Sequence, residues 1–334
     1  MKPGSNILCP SVGSAKVAAR RWFGLLCGAQ LLCGCLATPS NNLDSSNNNG
    51  VRQDLTYFPM SYGKSSAFGS ALHVTYDLST DSFLLHISDQ FSDYTDTRTM
   101  QKVDGGLYAH SLTNCTIRCE WETRYVRDVV FHPDIGLIAG LAGASSSFGS
   151  LKEGPFLSDD WISNDRVHDI KGQAHYDGEI RFYVLRGPND EISVEDIADA
   201  VQPNIGNVTL SVDFDSFDWN DKTCETCSGV ATFPFGQLAS DMPGRTSDLV
   251  VSMDQFTYSS DFLYSVLNFD PADLGLTSID KMYVQARPFG SEASVIAGEF
   301  REAGWIDTID PSDNSTISTA VPVYGYFVTD KVVP

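Results

Sequence analysis

Asn207-Val208-Thr209-Leu210-Ser211-Val212-Asp213-Phe214 alternates without a break. Val208, Leu210, Val212 and Phe214 are apolar, and Asn207, Thr209, Ser211 and Asp213 between them are polar. Successive side chains of an extended chain point to opposite faces, so a period of two gives one buried face and one wet face. Outward from this stretch the same texture runs through the chain from Tyr57 onward. Ala71–Tyr76, Ser82–Ile87, Arg124–Phe131, Glu179–Leu185, Asp248–Phe256, Lys281–Arg287, Val295–Phe300 and Val321–Val328 are short runs rich in Val, Ile, Tyr, Phe and Thr. Gly, Asp, Asn and Ser break them at roughly ten-residue intervals. Many short strands at even spacing, each with one apolar face, predict an all-β chain folded as an antiparallel sandwich or barrel. In Val295–Phe300, the residues Val295, Ala297 and Glu299 are expected on one face and Ile296, Gly298 and Phe300 on the other. One helix is predicted, with Ser193 as N-cap, Val194, Ile197, Ala198 and Val201 at helical spacing, and Pro203 as its stop. The small-residue stretch Gly140–Gly149 and the turn-rich Pro155–Asp165 divide an N-terminal β region from a C-terminal one.

The first fifty residues have another character. Lys2, Lys16, Arg20 and Arg21 make a basic start, and the apolar run Trp22–Leu32 has the length of a signal-peptide core, too short to span a bilayer as a helix. Leu32-Cys33-Gly34-Cys35 follows, and this resembles the lipobox of bacterial lipoprotein precursors. That resemblance implies cleavage before Cys35 and lipid on the cysteine; two or more acyl chains hold a protein stably at a membrane. Arg20-Arg21 leaves general and twin-arginine export both open. Residues 36–50 are dominated by Asn, Ser, Gly and Pro and read as a flexible tether.

Charge excludes some partners. The chain of 334 residues carries 22 basic and 43 acidic side chains, net −21. Four of the bases and none of the acids lie in residues 1–34, so the remainder stands at −25. Such a body will not bind nucleic acid or an anionic membrane face by charge. A basic protein partner or cationic ligand and a plain solubility adaptation both fit.

Cys115 and Cys119 (CxxxC) and Cys224 and Cys227 (CxxC) are the cysteines of the expected mature body. In an exported protein disulfides are the first reading, and all four are candidates. A β-turn at Cys224–Cys227 would bring its ends within about 7 Å. Cys115 and Cys119 in one extended strand would stand about 13 Å apart, so a local bridge needs a loop or helical turn. A four-cysteine zinc site and a redox-active CxxC are the alternatives, the latter opposed by the loop-like setting of Asp218–Gly229 with Glu225 beside the thiols. Asp213, Asp215, Asp218 and Asp221 with Asn220 could suggest calcium, but the loop lacks the EF-hand glycine, and a solvated turn is the expectation. The six histidines form no HExxH pair, and no GxSxG, phosphate loop or dinucleotide fingerprint is present. The expectation is therefore a non-enzyme without metal or cofactor.

Gly172-Gln173-Ala174-His175-Tyr176-Asp177-Gly178 resembles the GxAxYxG element that opens the barrel domain of the transferrin-binding protein B-like surface lipoproteins. Val208–Phe214 resembles that family's second barrel strand, Phe289–Phe300 (FGSEASVIAGEF) its FxGPxAxEVxGxF element, and Pro322–Val328 its closing strand. Gly172, Ala174, Tyr176, Gly178, Phe289, Gly290, Gly298 and Phe300 carry the motifs, while Ser291 and Ser294 depart from the usual Pro and acidic residue. The resemblance implies an eight-stranded antiparallel barrel preceded by a smaller handle-like β domain. It divides the chain into a signal peptide (1–34), a tether (35–54), the handle-like domain (55–165) and the barrel domain (166–334). It also implies an outer-membrane lipoprotein displayed at the cell surface as a monomer, binding a solute or a host or environmental macromolecule, with iron or haem carriers among the family's ligands. A structural or adhesive envelope lipoprotein is the first alternative, and a lipid-anchored envelope hydrolase the second.

Overall fold

The computed structural model describes residues 54–56, 70–77, 79–89, 95–104, 106–113, 121–133, 135–146, 149–151, 155–158, 162, 164–184, 202–217, 222–234, 247–259 and 262–333. Cys35, Cys115, Cys119 and nearly all of the predicted Ser193–Pro203 helix lie outside them.

Nine strands form the N-terminal sheet: β1 (Asp54–Thr56), β2 (Ser70–Asp77), β3 (Ser82–Asp89), β4 (Thr95–Asp104), β5 (Leu107–Thr113), β6 (Trp121–His132), β7 (Gly136–Ser146), β8 (Gly149–Leu151) and β9 (Pro155–Ser158). They run in the order β6-β5-β4-β3-β2-β1-β9-β7-β8, and the sheet curls so that β6 also pairs with β7. Its concave side holds Val74, Phe83, Leu85, Met100, Val126 and Phe156.

The C-terminal sheet closes completely. Its strands are β10 (Gln173–Val184), β11 (Asn204–Asp213), β12 (Thr223–Phe233), β13 (Leu249–Ser259), β14 (Phe262–Asn268), β15 (Ser278–Ile279), β16 (Tyr283–Phe289), β17 (Val295–Ile309) and β18 (Thr316–Lys331). Each pairs antiparallel with its neighbours, β10 pairs β18, and eight of them complete the barrel, with the two-residue β15 as a side strand on β17. The chain is thus the all-β, barrel-plus-curled-sheet fold expected from its motifs. In β11 the predicted alternation is seen directly: Val208, Leu210 and Val212 are buried, while Asn207 and Thr209 are exposed.

Side chains fill the barrel. Tyr176, Phe182, Phe214, Phe233, Phe256 and Phe327 are among its buried interior residues. An eight-stranded barrel is just wide enough for such filling. A void of about 20 Å³, lined by residues including Phe233, Leu249, Leu274 and Met282, is wholly apolar and has no room for a solute.

One feature goes beyond the sequence reading and one departs from it. Val295 and Ala297 sit on the barrel's outer face, yet both are fully buried. The curled sheet covers them: Leu107, Tyr125, Ile138 and Leu157 pack there against Tyr183, Phe289, Val295 and Tyr326. Cys224 and Cys227 lie within β12 and not in a loop; a bulge shifts the β12–β13 register between Cys224 and Ser228, and the two cysteines are disulfide-bonded across it with Cα atoms 5.3 Å apart. A bulge folds the extra residues of one strand back on themselves. That shortening brings the two ends within the expected distance of about 7 Å and gives the local bridge, here inside a strand.

Candidate binding end of the barrel

One end of the barrel is sealed. The helical turn Asn164–Val167 and its flanks place Ile162, Val167 and Ile170 in the barrel core beside Phe217. The Ile162 amide donates to the Pro288 carbonyl at 2.8 Å, and the Tyr176 hydroxyl donates to the Ala293 carbonyl at 2.9 Å. Connections at this end are short, at 214–222, 260–261 and 290–294. Gly172 and Gly290 have φ of 82° and 72°, a region that favours glycine and lets the chain turn tightly into β10 and out of β16. Asp213 and Asp215 serve the turn here: Asp213 accepts from the Gln173 side chain and the Asp215 amide, and Asp215 accepts from the Gly172 amide at 3.0 Å. Their carboxylates act as turn caps, and Asp218, Asn220 and Asp221 lie outside the described residues. With Cys224 and Cys227 bonded to each other, the four-cysteine zinc reading loses two ligands. Among the described residues no group of three or more His, Cys, Asp or Glu could hold a metal.

The opposite end gathers the long connections. Segments 185–203, 234–248 and 269–282 join strands there, and the β17–β18 hairpin rises beyond them. Connections of this length in a compact β domain carry function more often than packing, because a rigid scaffold can present them without itself changing. These three segments and residues 305–320 contain thirteen acidic and three basic side chains.

The described parts of this end are well built. Asp270 caps a 3₁₀ turn over Pro271–Leu274 by accepting from the Ala272 amide, and Gly275 at φ 65° ends it. Leu274 and Leu276 then drop into the barrel core. Gly304 lets β17 approach: a Cβ there would stand 2.6 Å from a Leu276 methyl, which would have to shift. The Thr277 amide donates to the Trp305 carbonyl at 2.7 Å, the Thr277 hydroxyl accepts from the Asp307 amide at 2.9 Å, and Ile279 and Ile306 pack on the core edge.

Past this root the hairpin continues as a two-stranded ribbon. Five register pairs, Trp305↔Ala320 to Ile309↔Thr316, extend about 17 Å. Its outer face continues the barrel's outer wall and presents Trp305, Asp307, Ile309, Thr316, Ser318 and Ala320, all exposed. Trp305 is 37% and Ile309 71% exposed. Asp310 and Asp313 organise the tip by accepting from the Ser312 and Ser315 amides, each at 2.8 Å. Hydrogen bonds from the Ser312 and Ser315 side chains and amides hold the two carboxyls below the usual range, so the tip stays charged. At the ribbon's root, partial burial and the nearby Asp280 push the Glu302 carboxyl up.

The motif residues serve the scaffold. Ala174, Tyr176 and Phe300 fill the barrel, Phe289 faces the curled sheet, and Gly178 and Gly298 lie against β18. Neither His175, which is exposed, nor His132, paired with Asp330 at 2.7 Å, stands in a ligand pocket. The ribbon was not singled out by sequence. Its signal was there as the alternation Trp305-Ile306-Asp307-Thr308-Ile309, but whether such a strand end is covered depends on the other strands.

No protein-family model matches the chain, and no curated protein matches its sequence. Among solved structures it is similar to transferrin-binding protein B. The isotype 1 protein of serogroup B Neisseria meningitidis aligns at TM-score 0.35 and 11% identity, over 79% of this chain and 52% of that one. A mutant of the Haemophilus parasuis Hp5 protein aligns at 0.33 and 11%, over 85% and 75%. Intact Ap-TbpB, with N and C lobes, aligns at 0.30 and 10%, over 80% and 68%. The chain thus spans about half the length of the first of these.

Proposed function

We propose that this chain is a lipid-anchored, surface-displayed binding protein without catalytic activity, which takes a protein ligand at the ribbon end of its barrel. On this reading residues 1–34 are an export signal, Cys35 carries the lipid, residues 35–54 are the tether, 55–165 the handle-like domain and 166–334 the barrel domain. The observation that carries it is the asymmetry of the barrel: one end is plugged and tightly turned, while the other collects three long connections and an exposed ribbon, with acids outnumbering bases. A barrel packed with side chains leaves its outer surface and loops to do the binding. The lipobox and the Asn/Ser tether support display away from the membrane plane.

Protease shaving of intact cells, followed by mass spectrometry of the released peptides and of the Cys35 stump, tests the reading. Released peptides from 70–333 with a lipidated Cys35 left behind are expected. Full protection until the outer membrane is opened would place the body in the periplasm and end the surface reading.

A further inference from the structure

The ribbon has three properties that together describe an occupant. First, its β18 edge is bare among the described residues. On the β17 side β15 pairs as far as Trp305 and the Thr277 hydroxyl takes the Asp307 amide, but β10 meets β18 no further than Val323, so 316–322 pair only with 303–309 of β17. Unpaired N–H and C=O groups along an edge are a template for another strand. Second, its outer face alternates apolar and acidic along one strand, Trp305, Asp307 and Ile309, with the small Thr316, Ser318 and Ala320 opposite. Third, nothing basic guards it. Edge strands are commonly protected by lysine, yet no lysine or arginine occurs between Arg301 and Lys331, while Asp307, Asp310 and Asp313 lie on or at the tip of the ribbon.

We propose that the ribbon edge, with Trp305, Asp307 and Ile309 beside it, receives an extended segment of a basic partner protein in which lysine or arginine alternates with apolar residues. The inference rests on the binding-protein reading above and adds to it a place and a chemistry. Main-chain hydrogen bonds to the bare edge supply affinity, and side-chain complementarity supplies choice. Basic side chains of the segment meet the three aspartates, and its apolar side chains cover Trp305 and Ile309. Charge argues against the other occupants. A second copy would bring three aspartates against three in a chain of net charge −21, and nucleic acid or an anionic membrane would be repelled.

The test uses the full chain in detergent and a fluorescent ten-residue peptide alternating arginine with valine, with a glutamate–valine twin as control. Binding is followed by anisotropy at low and high salt. The arginine peptide is expected to bind more weakly as salt rises, and the twin not at all. Trp305→Ala with Ile309→Ser, and separately Asp307→Asn with Asp310→Asn and Asp313→Asn, are each expected to lose about tenfold or more in affinity. Val250→Ser, at an exposed position on the barrel wall, is expected to bind as the parent does. Amides of 316–320 should gain protection from hydrogen exchange when the peptide binds. No binding of the arginine peptide, equal binding of the twin, or unchanged binding by the ribbon variants overturns the proposal. So does a ribbon-dependent dimer of the chain itself. Shaving of cells reads display separately: a displayed chain whose ribbon variants bind normally sinks the ribbon assignment alone, whereas a protected chain with ribbon-dependent peptide binding sinks only surface display.

Discussion

Gly178 and Gly325 are places where the barrel allows no side chain. A Cβ on Gly178 would stand 2.0 Å from the Val328 carbonyl oxygen of the neighbouring strand, and one on Gly325 would stand 2.0 Å from the Phe300 ring and 2.6 Å from the Arg181 carbonyl. Backbone cannot yield as a flexible side chain does, so Gly178→Ala is expected to destabilise by about 3 kcal/mol, at the upper end of overpacking costs. Urea unfolding monitored by circular dichroism measures it, and a loss under about 0.5 kcal/mol, the range of ordinary surface changes, contradicts the packing described. Glu299 makes a different prediction. It is 1% exposed on the outer face of β17, its carboxyl oxygens have no hydrogen-bond partner, and burial holds its pKa well above the usual carboxylate range against the opposing charges of Arg287 and Arg301. A carboxyl whose folded pKa exceeds its unfolded one favours folding while protonated. Its contribution is full below about pH 4.3, the unfolded value, and is lost as pH rises through the folded value. Glu299→Gln should therefore flatten the fall in melting temperature from pH 5 to pH 8 by a few degrees, and parallel parent and variant curves would refute this.

Within single elements, the disulfide and the ribbon pull in opposite directions. Cys224–Cys227 closes a loop of only four residues, so chain entropy assigns it about 2 kcal/mol. Both sulfurs are buried, with the Asp213 amide donating to Cys227 Sγ at 3.3 Å. Replacing both cysteines by serine should lower stability by about that amount or somewhat more, through the buried hydroxyls. Hydrogen exchange would locate the loosening at the β12 bulge, and protection unchanged there would contradict it. The ribbon beyond Ile306, by contrast, buries almost nothing. An isolated two-stranded hairpin is marginal in water, so replacing residues 307–318 by a two-residue turn should shift the melting temperature by no more than a few degrees while abolishing peptide binding. A large loss of stability would show that the ribbon supports the barrel and is no free arm.

At the level of the whole chain, the curled sheet and the barrel meet through more than apolar packing. Asp128, at φ 53°, sits where β6 bulges against β7 and points its carboxylate at the barrel. It accepts from the Tyr183 hydroxyl at 2.8 Å and pairs with Arg181 at 3.3 Å and Arg127 at 2.6 Å, while its backbone carbonyl accepts from the Tyr326 hydroxyl. Burial drives the hydroxyls of Tyr183 and Tyr326 well up, so both remain donors at any physiological pH. Removing the carboxylate leaves Arg127, Arg181 and the Tyr183 hydroxyl facing an uncharged group. Asp128→Asn, which tolerates the positive φ, is expected to cost about 3 kcal/mol and to separate calorimetric unfolding into two transitions. A single unshifted transition would mean the two sheets are held by the apolar interface alone.

Strands and their core faces were legible because a period of two is a local property: the alternation in Asn207–Phe214 survives folding unchanged. The barrel was legible through the family resemblance of the glycine-bearing motifs, and the crowding at Gly178 and Gly298 follows from β18 lying against them. Other features depend on residues distant in sequence and could not be read from any one segment. Val295 and Ala297 are buried because Tyr125, Ile138 and Leu157 from another sheet lie over them. The cysteine pair bridges within a strand because β13 pairs past the bulge. Trp305 and Ile309 are exposed because β10 and β15 end before the hairpin does. Sequence alone marked the runs with a clean period of two and the face that seeks cover, but not β7, β9 or the start of β12, which it read as a divide or a loop. Tertiary structure settled which of those faces found it, because cover is supplied by strands whose pairing is long-range.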